Sequence, residues 1–177
     1  MSGLTEPSPT LSPELIYRDT RQPERDALVR LDLVQVDAQL IEYLKRHPEK
    51  MYELQPRRFE ELVAEMLRDM GYQTELTVSS ADGGVDIIAT QKTGIGETLL
   101  VVDCKRYART QRVGVELVRS LYGVAEQLRA TMAMLATTSF FTRPAQEFQR
   151  TLRHRVSLRD YSDLVEWLGR YRTSPGV

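Results

Sequence analysis

The sequence predicts an α/β fold in which helices cover both faces of a mixed central sheet. Three observations support this prediction: a long amphipathic helix at residues 57–70, three strand-like segments directly after it, and alternating helices and strands in the second half of the chain. The order helix, three strands, helix, strand and then helix indicates a mixed central sheet that helices cover on both faces.

The first part of the chain contains little that predicts a core. Residues 1–26 carry four prolines among polar residues and are predicted to be a flexible N-terminal arm. Residues 27–56 are predicted to form a helical and strand extension, with a short strand within 27–36, a helix at 37–46 and a turn between Pro48 and Pro56. Residues 57–172 form the main predicted domain.

Within that domain, apolar spacing defines each element in order. The helix at 57–70 has six apolar residues at helical spacing and ends at Gly71. The remaining elements are strands at 72–78, 85–90 and 98–105, a helix at 114–129, a strand at 131–137, a helix at 144–152, a strand at 154–158 and a helix at 162–170.

Composition excludes several classes of protein. The 177 residues include one cysteine and two isolated histidines, His47 and His154, which argues against disulfide scaffolds, zinc sites and histidine-dependent hydrolases. A phosphate-binding loop of the ATPase type is not found. The start lacks a basic stretch followed by an apolar one, and no apolar run approaches a membrane span, so we expect a soluble cytoplasmic protein without membrane contact.

The overall net charge of −1 conceals a strong asymmetry. Residues 1–103 hold 11 Lys and Arg against 19 Asp and Glu, a net charge of −8, whereas residues 104–159 hold 11 against 3, a net charge of +8. A basic region beside acidic residues is typical of proteins that bind a polyanion with arginines and a metal with carboxylates. Arginines distributed over solvated surfaces are the alternative.

Charged residues interrupt two of the apolar strands. Asp86 opens the strand at 85–90, and Asp103 and Lys105 end the strand at 98–105. Since strand side chains alternate, Asp103 and Lys105 project to the same side about 7 Å apart, opposite to Val102 and Cys104. Charges in such apolar segments require compensation. A carboxylate pair beside an ammonium group can hold a hard divalent cation and position a water next to it, as phosphodiester hydrolysis requires.

These residues define the predicted catalytic and metal site. Asp86 and Asp103 are the predicted ligands of Mg²⁺ or Mn²⁺, and the backbone carbonyl of Cys104 can complete the metal shell, while its thiol packs as a small apolar group. Lys105 either orients and helps to deprotonate the attacking water or stabilises charge on the phosphate. The alternative for Asp103 is a structural ion pair with a neighbouring basic residue.

The helix at 57–70 offers one further candidate. At about 100° per residue, Glu60 borders the apolar arc of the helix, whereas Glu61 and Glu65 are predicted to face away from it. Glu60 is therefore the glutamate predicted to support the site, against the alternative of an ordinary boundary residue.

Two other groups of residues follow the strands. Arg106, Tyr107, Arg109 and Arg112 are predicted to contact the nucleic-acid backbone. A hydroxyl-rich turn between a strand and a helix contains Thr137, Thr138, Ser139 and Thr142. A functional role and helix capping near Pro144 are equal alternatives for this turn, and we assign it no catalytic role.

Five segments together resemble a known family. FEELVAEMLRDMGY, DGGVDII, DCKRY, VGVELVRSLYGV and TTSFFTRPAQEF, in that order over residues 59–150, are similar to the catalytic domain of the Mrr-type restriction endonucleases of the PD-(D/E)xK nuclease superfamily. The resemblance implies a restriction-endonuclease-like αβββαβ core and divalent-metal-dependent DNA cleavage, with Glu60 as the first-helix glutamate, Asp86 as the strand aspartate, and Asp103 and Lys105 as the acid-x-lysine pair.

The sequence departs from the family at two positions. Val85 stands where the superfamily has proline, and Asp103 stands where many Mrr-type members have glutamine. Because no segment resembles a helix-turn-helix region, we expect target recognition to involve a separate recognition or regulatory protein.

The resulting hypothesis is an endonuclease acting on DNA, with a role in defence that the family suggests. Alternatives are a structure-specific nuclease for junctions or repair intermediates, and a noncatalytic nucleic-acid-binding or partner-recruiting module. Because one metal site cuts one strand, a homodimer is also predicted, with the helix at 114–129 and the C-terminal helix offering apolar faces.

Overall fold

The computed structural model describes residues 30–31, 38–78 and 84–172. The helices are α1 (Ala38–Arg46), α2 (Pro56–Asp69), α3 (Val115–Gln127), α4 (Arg143–Thr151) and α5 (Tyr161–Arg170), with a 3₁₀ helix at Pro48–Glu53. The strands are β1 (Arg30–Leu31), β2 (Gln73–Thr77), β3 (Ile87–Thr93), β4 (Gly96–Lys105), β5 (Met132–Thr137) and β6 (Val156–Arg159).

The sheet is mixed, as predicted. The strands lie in the order β1-β2-β3-β4-β5-β6. Strands β1 to β4 pair antiparallel, while β4, β5 and β6 pair parallel. From α2 to β5 the elements follow the αβββαβ order of a restriction-endonuclease-like core. The parallel pairing of β4 with β5 requires a crossover, which α3 provides.

Each face of the sheet has its own apolar core. On one face α1, α2 and α5 cover Leu76, Ile87 and Val102, and on the other face α3 and α4 cover Val101 and Leu135. The alternation of Val101 and Val102 between the two cores shows the expected strand periodicity. Ile41, Leu44 and Met51 lie in the same core as α2, so residues 38–53 pack onto the sheet together with that helix.

Local signals set the bounds of the helices. Pro56 occupies the first turn of α2, and Gly71, at φ +91°, follows its end in the left-handed region that glycine favours. Asp160 and Asp163 form a reciprocal capping box at the start of α5. Phe59 of α2 is fully buried, which contributes about 1.5–3 kcal/mol.

Several boundaries differ from the sequence predictions. Strand β3 begins at Ile87 rather than at residue 85. Asp86 lies just before it, where its amide donates to the carbonyl of Val102 and its carbonyl accepts from the amide of Thr77. Of the predicted strand within 27–36, the structure describes only β1. The predicted arm at 1–26 lies outside the described residues. Among the described helices, none has the length and apolarity to cross a membrane.

Candidate active site

The antiparallel pairing of β3 and β4 brings Asp86 to the end of β4. Ile87 pairs with Val102, so Asp86 lies beside the segment from Asp103 to Lys105. Asp86 Oδ2 accepts a hydrogen bond of 2.7 Å from the backbone amide of Cys104. This contact orients the Asp86 carboxylate toward β4, and the two predicted metal ligands thereby lie at one position on the sheet.

Asp103 is a buried carboxylate, with 6% of its side chain exposed. Burial raises its pKa to about 6, and the nearby carboxylate of Asp86 adds to this rise, while the hydrogen bond and charge of Lys105 oppose it. Desolvation and carboxylate repulsion therefore outweigh the ammonium group. Gly84, at φ +66°, brings its backbone close to this carboxylate, since a Cβ at Gly84 would lie 3.8 Å from Asp103 Oδ2.

Lys105 donates a hydrogen bond to Asp103 Oδ1 from the same side of β4, as the strand periodicity predicts. Burial lowers the pKa of Lys105, but the hydrogen bond to Asp103 and the charges of Asp103 and Asp86 outweigh that effect, so the pKa is raised. The amine is therefore an ammonium group at neutral pH.

Glu60 on α2 lies close enough to Asp86 for the two carboxylates to interact electrostatically. Its side chain is 15% exposed, and Arg57 Nη1 bridges Glu60 Oε2 and the carbonyl of Thr77, at 2.9 Å each. Burial raises the pKa of Glu60, and the charge of Asp86 raises it further. The structure therefore brings Glu60, Asp86, Asp103 and Lys105 together.

Glu61 and Glu65 were predicted to face away from the apolar arc of α2, but their side chains are not freely exposed. The side chain of Glu61 is 9% exposed and that of Glu65 16% exposed. Arg58 pairs with Glu61, while Arg68 and the hydroxyl of Tyr171 contact Glu65. These partners compensate the buried charges, so the two glutamates are structural.

The donor set suits a hard divalent cation. Within the described residues there is no group of three or more His, Cys, Asp or Glu side chains arranged to hold a metal ion. The predicted shell instead consists of two carboxylates and the carbonyl of Cys104. Carboxylate repulsion, visible in the raised pKa of Asp103, is what a cation would relieve. The thiol of Cys104 packs against the α2 core, and burial and the adjacent carboxylates raise its pKa, which leaves oxygen as the donor.

A set of buried hydroxyl groups fixes the chain after Lys105. Thr137, Thr138 and Ser139 are fully buried at the end of β5. Thr137 Oγ1 donates to the carbonyl of Lys105 at 2.7 Å, and Thr138 Oγ1 accepts from the amide of Tyr107 at 2.9 Å and donates to its carbonyl at 2.7 Å. The sequence predicted a hydroxyl-rich turn here, with helix capping as the alternative, and did not reveal the bonds to Lys105 and Tyr107. Three consecutive hydroxyl residues after a buried strand were the available signal.

The predicted nucleic-acid contacts divide into two pairs. Arg106 Nη1 donates to the carbonyl of Tyr52 at 3.0 Å, and Tyr107 packs against the α3 and α4 core. Arg109 and Arg112 are exposed and line a groove of about 590 Å³. The structure thus directs Arg106 and Tyr107 inward and presents Arg109 and Arg112 outward.

Comparison with known proteins identifies one matching family and two relatives. The Mrr catalytic family of restriction endonucleases matches residues 51–168. The type IV methyl-directed restriction enzyme EcoKMrr of Escherichia coli is 29% identical over 110 residues, which is 59% of this chain and 35% of that enzyme. The uncharacterized protein y4cE of Sinorhizobium fredii is 26% identical over 147 residues, 82% of this chain and 38% of that protein. The chain therefore spans well under half the length of these relatives.

Two solved structures have a similar fold. The DNA modification-dependent restriction endonuclease AspBHI superposes with a TM-score of 0.60 at 22% identity, over 80% of this chain and 40% of that one. The MspJI restriction endonuclease, in complex with a 27-mer oligonucleotide, superposes with a TM-score of 0.51 at 24% identity, over 79% of this chain and 35% of that one.

Proposed function

Because the chain belongs to the Mrr catalytic family of restriction endonucleases, we propose that it hydrolyses DNA phosphodiester bonds with Mg²⁺ or Mn²⁺ as cofactor. The observation that carries this proposal is the convergence of Asp86, Asp103 and Lys105 at the adjacent ends of β3 and β4, with Glu60 facing them from α2. A silent copy of the fold would have no chemical need for these buried charges.

Asp86, Asp103 and the carbonyl of Cys104 would hold the cation. When bound, a divalent cation polarises the phosphate and lowers the pKa of a coordinated water. Asp86 reaches the site with an orientation fixed by the Cys104 amide, and Asp103 with one fixed by Lys105. Glu60 adds a third carboxylate, which Arg57 ties to β2 and which can hold a water beside the pair.

Of the two predicted roles for Lys105, charge stabilisation is favoured. A lysine with a raised pKa keeps its proton at neutral pH and donates hydrogen bonds from Nζ. It can therefore stabilise negative charge developing on the phosphate, or orient a water, and it is poorly suited to accept a proton. To act as a base, Lys105 would have to lose its proton, which the negative charges of Asp103 and Asp86 oppose by raising its pKa.

The biological role follows from the relatives by inference. EcoKMrr is a methyl-directed restriction enzyme, and we infer for this chain a role in defence against foreign or modified DNA. Target selection would come from a separate recognition or regulatory element, and the protein would act in the cytoplasm. We also infer a homodimer, since one site of this kind cuts one strand. Light scattering that gives a monomer mass, together with nicked but never linear plasmid, would exclude the dimer.

The test of the proposed function is plasmid cleavage in Mg²⁺, in Mn²⁺ and in EDTA. Wild-type protein should cut with either metal and not with EDTA. Lys105→Ala should be inactive, whereas the matched control Lys92→Ala, at an exposed position on β3, should cut as wild type does. Failure of pure, folded wild-type protein to cut any plasmid with either metal would favour the noncatalytic alternative.

A further inference from the structure

The groove that Arg109 and Arg112 line is a second feature at the same end of the sheet as the candidate active site. Its walls also include Phe140, Phe141 and Gln146, with Thr110 and Asp160. Arg109 follows Lys105 by four residues, a chain length of at most about 14 Å. The amide of Thr138 donates to the carbonyl of Lys105, and Ser139 Oγ donates to the carbonyl of Arg109, so both sites are anchored on the end of β5.

The groove is built on a fixed backbone. The amide of Val113 donates to the carbonyl of Phe140 at 2.9 Å, and the amide of Thr142 donates to the carbonyl of Val113 at 3.0 Å. Val113 and Phe141 also form a parallel bridge. These contacts connect the segment after Lys105 to the segment after β5, and both segments contribute residues to the groove. Little ordering is therefore required when a ligand enters.

The charge of the groove suits a phosphate group. Neither Arg109 nor Arg112 forms an ion pair with a carboxylate in the described part of the chain. Arg112 Nη1 donates a hydrogen bond to the carbonyl of Phe141 at 3.4 Å. The carboxylate of Asp160 also lies at the groove, but it accepts hydrogen bonds from the amides of Ser162 and Asp163 at the start of α5. Its charge is thereby partly compensated by the helix.

The groove also has an aromatic wall. Phe140 is half-buried and packs edge-on against Tyr161, with ring centroids 6.3 Å apart, and Tyr161 stacks on Tyr52 at 5.2 Å. The charge of Arg109 is close enough to both tyrosines to oppose the rise in pKa that burial produces in their hydroxyl groups. Arginines next to aromatic rings are the usual combination for nucleotides outside a duplex, whose bases can stack.

We propose that this groove holds an unpaired nucleotide of the DNA next to the cleavage site, with its phosphate on Arg109 and Arg112, its base against Phe140, and Gln146 at the base edge. A groove of about 590 Å³ is far larger than a phosphate contact needs and falls within the range of ligand pockets. The proposal rests on the proposed function and specifies its substrate as DNA that is frayed, flapped or flipped at the site of cleavage.

The test is equilibrium binding in EDTA, measured by fluorescence anisotropy with the full chain. The probes are a paired DNA duplex, the same duplex with an unpaired flap, the single DNA strand and the single RNA strand of the same sequence. Wild-type protein should prefer the flapped duplex and the single DNA strand to the paired duplex. Phe140→Ala should reduce that preference about ten-fold, the effect of losing one base stack.

Two variants separate stacking from folding. Phe140→Leu keeps an apolar side chain and should lose the same preference with an unchanged melting temperature. Phe148→Ala is the matched control, because Phe148 packs against Tyr122 and Arg119 and does not line the groove. Its preference for unpaired DNA should equal that of wild type.

The outcomes distinguish the groove from the catalytic proposal. Equal affinity of wild type for paired and flapped DNA, or tighter binding of the RNA strand, would overturn the groove proposal while metal-dependent plasmid cleavage could still be observed. A clear preference that Phe140→Ala abolishes, in a protein that never cleaves, would support the groove and overturn the nuclease.

Discussion

The carboxylate site is formed by Glu60, Asp86 and Asp103, and the basic segment at residues 106–112 follows directly after β4. The two regions are built in opposite ways. The site places Glu60, Asp86 and Asp103 close together in partly desolvated positions, where the pKa of Glu60 and of Asp103 is raised. In the basic segment the backbone polar groups of Tyr107 are fully paired with Thr138, while Arg109 and Arg112 remain in solvent. In the carboxylate site, like charges repel one another, and a bound cation would reduce that repulsion. In the basic segment, a complete set of backbone hydrogen bonds fixes the positions of exposed charges.

The largest expected effect is the loss of activity on changing the carboxylate site. Asp103→Asn and Lys105→Met should each lower the rate of plasmid cleavage at least about a hundred-fold, since each removes a charge aimed at the reacting phosphate or its cation. Glu60→Gln should impair cleavage much more than Glu61→Gln, because only Glu60 faces Asp86. Equal rates for the two glutamate variants would remove Glu60 from the site.

The second prediction concerns stability without metal. The pKa of Asp103 is about 6 in the fold against an ordinary value of 3.8, so the folded state binds this proton more tightly than the unfolded chain does. The contribution of Asp103 to the free energy of unfolding is therefore fully present below about pH 3.8 and is lost as the pH rises through about 6, by roughly 3 kcal/mol at most. Urea unfolding in EDTA across this interval should show the decline.

Asp86→Asn sharpens the same measurement. Asparagine keeps an acceptor for the Cys104 amide but removes the charge that adds to the rise in the pKa of Asp103 caused mainly by burial. The variant should be at least as stable as wild type at neutral pH in EDTA, with a smaller decline. Adding Mg²⁺ should stabilise wild type and leave Asp86→Asn nearly unchanged. A loss of stability in the variant at neutral pH would show that Asp86 is an ordinary structural residue.

The features that the sequence could predict are those that depend on local signals. Asp86, Asp103 and Lys105 were recognisable because charged residues in apolar strands need a chemical reason, and strand alternation fixed the shared side of Asp103 and Lys105. The α2 helix and its end at Gly71 followed from local spacing. These signals lie within a few residues of the positions that they describe.

The features that were missed depend on contacts between distant segments. The hydroxyl of Thr138 meets Tyr107 across 31 residues of sequence, which no local pattern reveals. Arg106 belongs to the basic block, but its partner is the carbonyl of Tyr52, 54 residues earlier. Burial of Glu61 was missed because a helical wheel locates the apolar arc and gives no sign that Arg58 compensates a covered carboxylate.

The third prediction tests the hydroxyl network. Thr138→Val should lower the free energy of unfolding by about 1–3 kcal/mol, because the amide and carbonyl of Tyr107 lose their shared partner. DNA binding should weaken as well, since Arg109 follows on the same segment. The matched control is Thr142→Ala, which removes the cap of α4 and should lower stability by about 1 kcal/mol with DNA affinity unchanged.

Identical DNA affinity in Thr138→Val and wild type, at a temperature where both are folded, would show that the network serves stability alone. Thr138→Ser provides the rescue. It retains a hydroxyl group for both hydrogen bonds and should recover the affinity. Both measurements can be made in EDTA, so they do not depend on catalysis.

The smallest expected effect is on the salt dependence of DNA binding. With a net charge of +8 over residues 104–159, most contacts should fall on phosphates, and affinity should decline steeply with salt but vary little between unrelated paired duplexes. Arg109→Ala should reduce the slope of log affinity against log salt by about 0.9 on duplex DNA, the value for one phosphate contact. Arg106→Gln should change the slope less, because the Arg106 guanidinium group already donates a hydrogen bond to the carbonyl of Tyr52.

Arg150→Ala, at an exposed position on α4 outside the groove, is the control for loss of positive charge alone. The measurement is a salt titration by fluorescence anisotropy in EDTA on several paired duplexes. Equal slope changes for Arg106→Gln and Arg109→Ala would break the contrast between inward and outward arginines, and a flat salt response in wild type would exclude phosphate contacts as the basis of binding.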